Sequence, residues 1–482
     1  MRDIELNKVD LEKQHINEKN GCVKVRVQED IGPKITCLSK DELMKIAGTA
    51  GWIRARWILL VLFFLGWVGM LAGAIVIILQ APRCKPIPEM NWWNEGLLYQ
   101  ISDVNAFSNK GLKGVEEKLE YLKQMKVKGL ILGPIHTVQA DQLDTLKLTS
   151  IKPEVGTENE LETLLDQAHK KGISLVLDLT PNYESVSAWF NNTASVAEKL
   201  KEACVYWLNK GFNGISLSGL GDFANTSTWP SIQDITNKRS WTEKTALIVS
   251  VTDLPLDDIH VLLNHSGVDL LLTGLPNPVE SQALSIQKLY SMNPQTSLGW
   301  SLCGRTLGCL ASRTPAVPVR LFQILLFTLP GTPLFNAGDE VGLKTGEKLQ
   351  TMWDLESPAD EANATAKTLQ EERIALRDFF KALSDLRGKE RALRHGEFVS
   401  LHSSSSTLAF LRIWDQSERF LIAINWGNSA VNMTFTNSDL PAEAQVCVTT
   451  NAENLAVDSM VSLKTLELGS KQAVLLSYPY AG

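Results

Sequence analysis

The sequence predicts an α/β chain in three parts: a single transmembrane helix, a (β/α)8 barrel and a C-terminal antiparallel β-sandwich. Three observations point there. Residues 57–79 form an apolar run of 23 residues without a charge. About eight short apolar strands then alternate with amphipathic helices, the pattern of parallel βα units closing on themselves. From about residue 395 the helices stop and short alternating strands follow, as an antiparallel domain requires. The expected division is 1–56 cytosolic tail, 57–79 span, 80–91 neck, 92–394 barrel and 395–482 sandwich.

The first element is the span. At ~1.5 Å per residue, 23 residues cover ~34 Å, enough to cross a hydrocarbon core of ~30 Å. It follows 56 polar residues, so it reads as a signal anchor and not as a cleaved signal peptide. Lys40, Lys45, Arg54 and Arg56 precede it, whereas Arg83 and Lys85 alone follow before Lys110, which favours a cytosolic N-terminus. The tail carries 11 basic against 9 acidic side chains, leaving 36 against 45 for the remainder. The net charge of −7 holds no basic footprint for nucleic acid. At 21% charged and 44% hydrophobic residues, the chain is neither a disordered polymer nor mostly membrane.

Five sequons, at Asn191, Asn225, Asn264, Asn363 and Asn432, all lie beyond the span and agree with a type II orientation. Within the span, Gly66, Gly69 and Gly73 recur at spacings of three and four, and Gly69 with Gly73 makes a GxxxG. Such a face admits a second helix at close range, or it faces lipid. In the tail, Ser39 to Glu42 has the form of a capping box before a short helix ending at Gly48.

Cys22 and Cys37 lie in the tail and are expected to be reduced, while Cys84, Cys204, Cys303, Cys309 and Cys447 face an oxidising compartment. Five is odd, so at least one is free or pairs with another chain. Cys204 shares a helical stripe with Leu200 and Leu208, and Cys447 sits in an alternating strand; both read as small buried hydrophobes. Cys303 and Cys309 are close enough in sequence to close a loop. Cys84 differs, because Pro82, Pro86 and Pro88 around it favour an extended, solvated neck. An exposed thiol beside the membrane suits an intermolecular disulfide to another membrane protein, with a homodimer link or a free thiol as the alternatives.

In the body, strands are expected at 97–101, 129–133, 173–179, 214–217, 246–251, 268–273, 296–302 and 333–336. Helices are expected around 115–125, 158–171, 195–210 and 369–387. The stretch 326–342, with Pro330-Gly331-Thr332-Pro333 and Gly338-Asp339-Glu340, closely resembles the end of the barrel in α-amylase-type glycoside hydrolases, as do residues 98–101, 119–135, 352–354 and 392–398. The resemblance covers about 390 residues and implies a barrel plus a sandwich.

It also implies where catalytic carboxylates belong. A retaining glycosidase needs two of them ~5–5.5 Å apart at strand ends. Where the family carries its nucleophile, two residues after an Arg, this chain has Ser218 after Ser216; where it carries the acid/base Glu, Ser250 or Val251; where it carries the third Asp, Leu302. Asp178 and Asn182 of the third-strand motif remain, with Tyr183 in place of His. Asp222 and Asp253 lie near the lost positions without a spacing that recommends them. The subdomain that amylases insert after the third strand is missing. Loss of members of such a unit removes orders of magnitude in rate, so a non-catalytic relative is expected. Seven scattered histidines, with no H-x-H or C-x-x-C, leave neither a metal nor a cofactor to expect.

One span, a juxtamembrane cysteine and an amylase-like ectodomain without its carboxylates resemble the ancillary heavy chains of heteromeric amino-acid transporters, on residues 66–74, 81–84 and 127–136. That resemblance implies a disulfide from Cys84 to a multi-pass light chain at the plasma membrane, where this chain supplies trafficking and stability. It also implies contacts with other cell-surface receptors such as integrins. The rival readings are a membrane-tethered α-glucosidase, a cell-surface adhesion or sugar-binding receptor, and the related heavy chain of the cystine and dibasic amino-acid system, which should retain the inserted subdomain.

Overall fold

The computed structural model describes residues 39–80, 84–185, 187–219, 229–237, 244–251, 256–274, 286, 288–291, 294–302, 308–313, 317–355, 364–437 and 439–480. Cys22, Cys37, Cys303, Asp222, Asp253, Asn225 and Asn363 lie outside these residues. The chain divides into two compact units, Met1–Arg83 and Cys84–Gly482.

In the first unit, α1 (Lys40–Ala47) opens on the expected capping box: the Glu42 N–H donates to Ser39 Oγ and the Ser39 N–H to Glu42 Oε2 at 3.1 Å. Helix α2 runs from Ala50 to Gln80, 31 residues, and has the length and apolarity to cross a membrane. It starts seven residues before the charge-free run, because Arg54, Ala55 and Arg56 are strong helix formers and no proline interrupts the backbone between Ala50 and Trp57.

The second unit contains eight parallel strands that close into a barrel. They are β1 (Leu97–Ile101), β2 (Val127–Leu132), β5 (Ser174–Asp178), β6 (Gly214–Ser218), β7 (Ala246–Val251), β8 (Leu270–Thr273), β9 (Leu298–Ser301) and β10 (Thr332–Asn336). Strand β1 pairs with both β2 and β10, which completes the ring. A hairpin, β3 (Thr137–Gln139) and β4 (Gln142–Lys147), rises from the loop after β2. Strand alternation sorts the side chains into two cores. Leu98, Ile131, Val176, Ile248, Leu270, Leu272 and Leu334 fill the barrel interior. Tyr99, Leu130, Leu175, Leu177, Leu247, Val249 and Phe335 face the helix layer.

That layer includes α3 (Gly111–Glu117), α4 (Leu119–Gln124), α5 (Glu158–Lys170), α6 (Thr193–Asn209), α7 (Val319–Thr328) and α8 (Ala364–Lys389). Helix α5 shows why these segments are helical: Thr157 and Glu160 form a capping box, and Leu161, Leu164, Leu165 and Ala168 make one buried stripe. From β5 to α6 the chain spans residues 179–192, without an inserted subdomain.

After the short helix α9 (Arg391–His395) come β11 (Glu397–Ser403), β12 (Thr407–Ile413), β13 (Arg419–Asn425), β14 (Val431–Met433), β15 (Glu443–Thr449), β16 (Met460–Ser462), β17 (Leu466–Leu468) and β18 (Gln472–Tyr478). Six form an antiparallel sheet in the order β11-β12-β13-β18-β15-β16, and β14 pairs with β17. Ala409, Leu411, Leu421 and Ala423 pack against Met433, Leu466 and Leu468 between the two sheets. The opposite face, with Phe410, Phe420 and Ile422, belongs to the same apolar core as the outer face of the barrel and its helices, Phe327 and Phe380 included. This shared apolar layer makes barrel and sheets one compact unit.

Candidate functional site

The carboxyl ends of β5, β6, β7 and β9 are where the amylase-like reading places its chemistry. Asp178 closes β5 and is buried; its Oδ1 accepts from the Thr180 N–H at 2.9 Å and from Thr180 Oγ1 at 2.5 Å. Ser218 ends β6. Its N–H donates to Thr180 Oγ1 at 3.0 Å, and its carbonyl accepts from Trp189 Nε1 at 3.0 Å. The same indole N–H also meets the Gly219 carbonyl, so Trp189 lies across the end of the strand.

On β7 the alternation decides between the two residues considered. Val251 packs into the helix-facing core, 4% exposed, and Ser250 is paired in register with Ser218. The strand-end residue on the side of the barrel interior is therefore Ser250, one position before Val251. Leu302 likewise belongs to the helix-facing core.

Asn182, fully buried, does not face open space either. Its Nδ2 donates to Asp141 Oδ1 at 2.9 Å and to the Ser187 carbonyl at 2.9 Å, and its Oδ1 accepts from the Asp141 N–H at 3.1 Å. Asp141 sits at the tip of the β3–β4 hairpin with φ 59°. The hydrogen bond from Asn182 holds its carboxyl below the usual carboxylate range. Tyr183 Oη donates to the His136 carbonyl at 2.8 Å. These contacts fold the hairpin and the loop after β5 onto one another.

A cavity of about 1400 Å³ opens at this end of the barrel, bordered by the loops after β1, β2, β5 and β10, with Asn105, Lys152, Glu184, Asn336 and Trp353 among its walls. Ser218, Val251 and Leu302 are not in its lining. Lys152 pairs with Glu184 at 2.6 Å and lies 4.8 Å from the Tyr183 ring centroid. Burial opposes the ammonium, but Glu184 and Tyr183 outweigh it and hold the Lys152 pKa above its ordinary value.

The Gly338-Asp339-Glu340 stretch, the most specific amylase-like signal, carries two buried carboxylates that brace the backbone. Asp339 accepts from the Leu310 N–H at 3.1 Å and the Asn336 N–H at 2.9 Å. Glu340 accepts from Tyr99 Oη at 2.8 Å, Tyr121 Oη at 3.0 Å and the Gly338 N–H at 3.0 Å. Burial pushes the Glu340 pKa up to about 7, against the pull of its donors. Its partner Tyr99 faces the helix layer, so this carboxyl lies outside the barrel mouth.

At the start of the second unit Cys84 is an exposed thiol, whereas Cys204 is buried and Cys309 and Cys447 are partly buried; none of the four is in a disulfide. Burial raises the Cys204 pKa to about 12, which keeps it an unreactive thiol. The residue after Cys84 is held from both ends: the Lys85 N–H donates to Asp415 Oδ2 at 3.1 Å, and Nζ pairs with Glu397 at 2.9 Å and lies 5.1 Å from the Trp414 ring centroid. Residues 84–89 are exposed, yet Lys85 fastens them to β11 and to the turn after β12. No sequence signal marks this latch, since its partners lie 312 and 330 residues away.

In α2, a methyl group built on Gly66, Gly69 or Gly73 meets nothing within 4 Å, so no packing among the described residues requires these glycines. Of the sequons, Asn191, Asn264 and Asn432 are exposed.

Residues 23–99 match the family described as solute carrier family 3 member 2 N-terminus, and residues 100–231 match the alpha amylase catalytic domain. The chain is 40% identical over 522 positions to the rat (Rattus norvegicus) amino acid transporter heavy chain SLC3A2, spanning 100% of this chain and 98% of that protein. To the human (Homo sapiens) amino acid transporter heavy chain SLC3A1 it is 22% identical, covering 86% of this chain and 82% of that one. Among solved structures, a debranching enzyme of Nostoc punctiforme superposes with a TM-score of 0.61 at 18% identity, over 82% of this chain and 100% of its own. The trehalulose synthase MutB of Pseudomonas mesoacidophila MX-45 does so with 0.61 at 14% identity, over 81% and 100%. At these identities the two enzymes share the fold.

Proposed function

The chain belongs to the SLC3A2 family of amino acid transporter heavy chains, and from that premise we propose that it is a non-catalytic type II membrane glycoprotein whose Cys84 forms a disulfide to a multi-pass light chain. The light chain carries the transport path, since one span cannot enclose one. This chain brings it to the plasma membrane and stabilises it there. The tail (1–56) is cytosolic, and the barrel and sandwich, with their sequons, are extracellular. The observation that carries the reading is Cys84 itself, the exposed thiol among the four described cysteines, standing four residues after the end of α2.

We further propose that the barrel is a pseudoenzyme. Ser218, Ser250 with Val251, and Leu302 stand where the amylase-like pattern has carboxylates, and Trp189 crosses the end of β6. Asp178 and Asn182 serve the loop architecture. The face of Gly66, Gly69 and Gly73 is the surface on which a light-chain helix packs, because close approach of helices in lipid depends on small residues.

The test is a non-reducing gel of native membranes. The protein should migrate with its partner, Cys84→Ser should abolish that species, and Cys204→Ser should leave it. A Cys84→Ser chain that still runs at the heavy position would overturn the assignment. Co-assembly should partly survive the loss of the thiol, since contacts between the helices and outside the membrane need no covalent link.

A further inference from the structure

A second cavity, of about 460 Å³, opens at the opposite, N-terminal end of the barrel, between the starts of β1 and β2 and the end of α8. Its volume lies within the ~300–1,000 Å³ typical of small-ligand sites. The walls carry five cations, Lys126, Lys128, Arg387, Lys389 and Arg394, against the carboxylates Glu95 and Asp385.

The two carboxylates leave most of that charge unanswered. Lys126 lies 3.6 Å from Asp385 and Lys128 3.8 Å from Glu95, and all four side chains are about half exposed, so these pairs are weak and exchangeable. Arg387 is buried, and its guanidinium donates to the carbonyls of Phe327 at 2.5 Å, Leu329 at 3.1 Å and Gly331; no carboxylate takes part. Arg394 has a buried Nε without an acceptor, and no ion pair is formed by Arg394 or Lys389 among the described residues. Behind them Arg412 is fully buried, and its Nε and Nη2 have no acceptor. Burial, with the neighbouring Arg387, lowers the Arg412 pKa to about 9, and burial lowers that of Arg387 to about 10. His395, its pKa lowered to about 4 by burial and then by the arginines, stays neutral and adds no anion.

The backbone is arranged to hold these side chains in place. Lys126 adopts φ 61°, a conformation costly for a residue with a Cβ. Gly96 lies directly under the Lys128 stem, where a methyl group would come within 2.5 Å of Cγ. A buried positive field with unmet N–H groups, opening through half-exposed lysines into a small concave site, is the arrangement that takes up a tetrahedral oxyanion.

We propose that this cavity binds a phosphate group, free or as the ester of a small headgroup, with Arg394, Lys389 and Lys128 as its ligands and Arg387 and Arg412 as the fixed charge behind them. Phosphate is favoured over a carboxylate because two negative charges and several acceptor oxygens match several converging donors. The inference does not depend on Cys84 or on a light chain.

The test uses the purified full chain in detergent micelles, titrated with inorganic phosphate by isothermal calorimetry against sodium chloride of equal ionic strength. A saturable heat with phosphate and none with chloride is expected, and Lys389→Gln/Arg394→Gln should weaken binding at least tenfold. Glycerophosphoserine, a water-soluble headgroup, runs beside it: tighter binding than phosphate assigns the site to an ester, weaker binding to the free anion, and either supports the proposal. Lys389→Glu, at an exposed position that folding does not need, keeps the test valid should the double variant fail to fold; it should lower affinity several-fold with an unchanged circular dichroism spectrum. Equal heats with chloride, or phosphate binding by Lys389→Glu at wild-type affinity, would overturn the proposal.

Discussion

Asp141 and Asn182 hold each other twice: the Asn182 amide donates to the Asp141 carboxylate at 2.9 Å, and the Asp141 backbone N–H donates back to the Asn182 carbonyl oxygen at 3.1 Å. The pair ties the tip of a hairpin to a residue 41 positions later in the chain, in the loop where the amylase-like pattern carries an inserted subdomain. Asn182→Ala should therefore free the hairpin while the barrel remains folded. Amide exchange in residues 137–147 is expected to quicken about tenfold, with little change at β5 or β6, because the Asp141 N–H and carboxylate both lose the Asn182 amide as partner. Unchanged protection across the hairpin would show that the pair is incidental.

Catalysis should be absent and hard to restore. The full chain is expected to hydrolyse α-glucosides no faster than buffer, and so are Ser218→Asp/Ser250→Glu and Ser218→Asp/Val251→Glu. Position 216 lacks the cation that would hold a nucleophile ionised, and Trp189 lies across the strand end, so the new carboxyls are neither tuned nor reached. Amino-acid uptake by the assembled complex should be indifferent to Ser218→Ala. Saturable glucosidase turnover by the unmodified chain would restore the enzyme reading.

The glycine face of α2 should carry part of the association. Gly69→Ile, made in a Cys84→Ser background to remove the covalent link, is expected to lower recovery of the light chain in mild detergent several-fold, because branched side chains hold helices apart. Full recovery would mean that this face meets lipid.

Glu340 should make stability depend on pH. Its folded pKa of about 7 exceeds the ordinary value of 4.5, so the folded state binds its proton more tightly. The contribution is fully present below about pH 4.5 and lost as pH rises through about 7, at most roughly 3 kcal/mol across that window. His395, with a folded pKa lowered to about 4, works in the opposite direction between about pH 4 and 6.5 and partly masks it. Glu340→Gln cannot ionise, so the difference in melting temperature between variant and wild type should shift in the variant's favour from pH 5.5 to pH 8.5. A difference that stays constant across that range would mean that Glu340 does not titrate there.

Much of the architecture was legible in the residues, and the failures have identifiable physical causes. Buried parallel strands such as β7 and β10 announce themselves as apolar runs, and the charge-free stretch of α2 needs no tertiary information. The β3–β4 hairpin is polar along much of its length and owes its turn to Asp141 in a left-handed conformation, so no alternation marked it. The choice between Ser250 and Val251 turned on a single residue of register, which reverses a side chain between interior and helix layer. The Gly338-Asp339-Glu340 motif was easy to find as a family signal, but that Tyr99, Tyr121 and backbone N–H groups consume its carboxylates depends on partners distant in sequence. The latch on Lys85 and the cationic cavity depend on residues hundreds of positions apart.

The Lys85 latch sets how far the thiol beside it can search. A cysteine on a free proline-rich strand would sweep a hemisphere and find its mate by chance encounter; one whose neighbour is pinned to Asp415 and Glu397 explores only a short arc. Each pinning contact is exposed and weak, worth about 1 kcal/mol or less, so the arc is a preference that a partner can override. With Cys84 bonded to a partner as proposed above, oxidation would measure alignment: the bond would close quickly with a partner that presents its sulfur within the arc and slowly with one that must first peel the strand away.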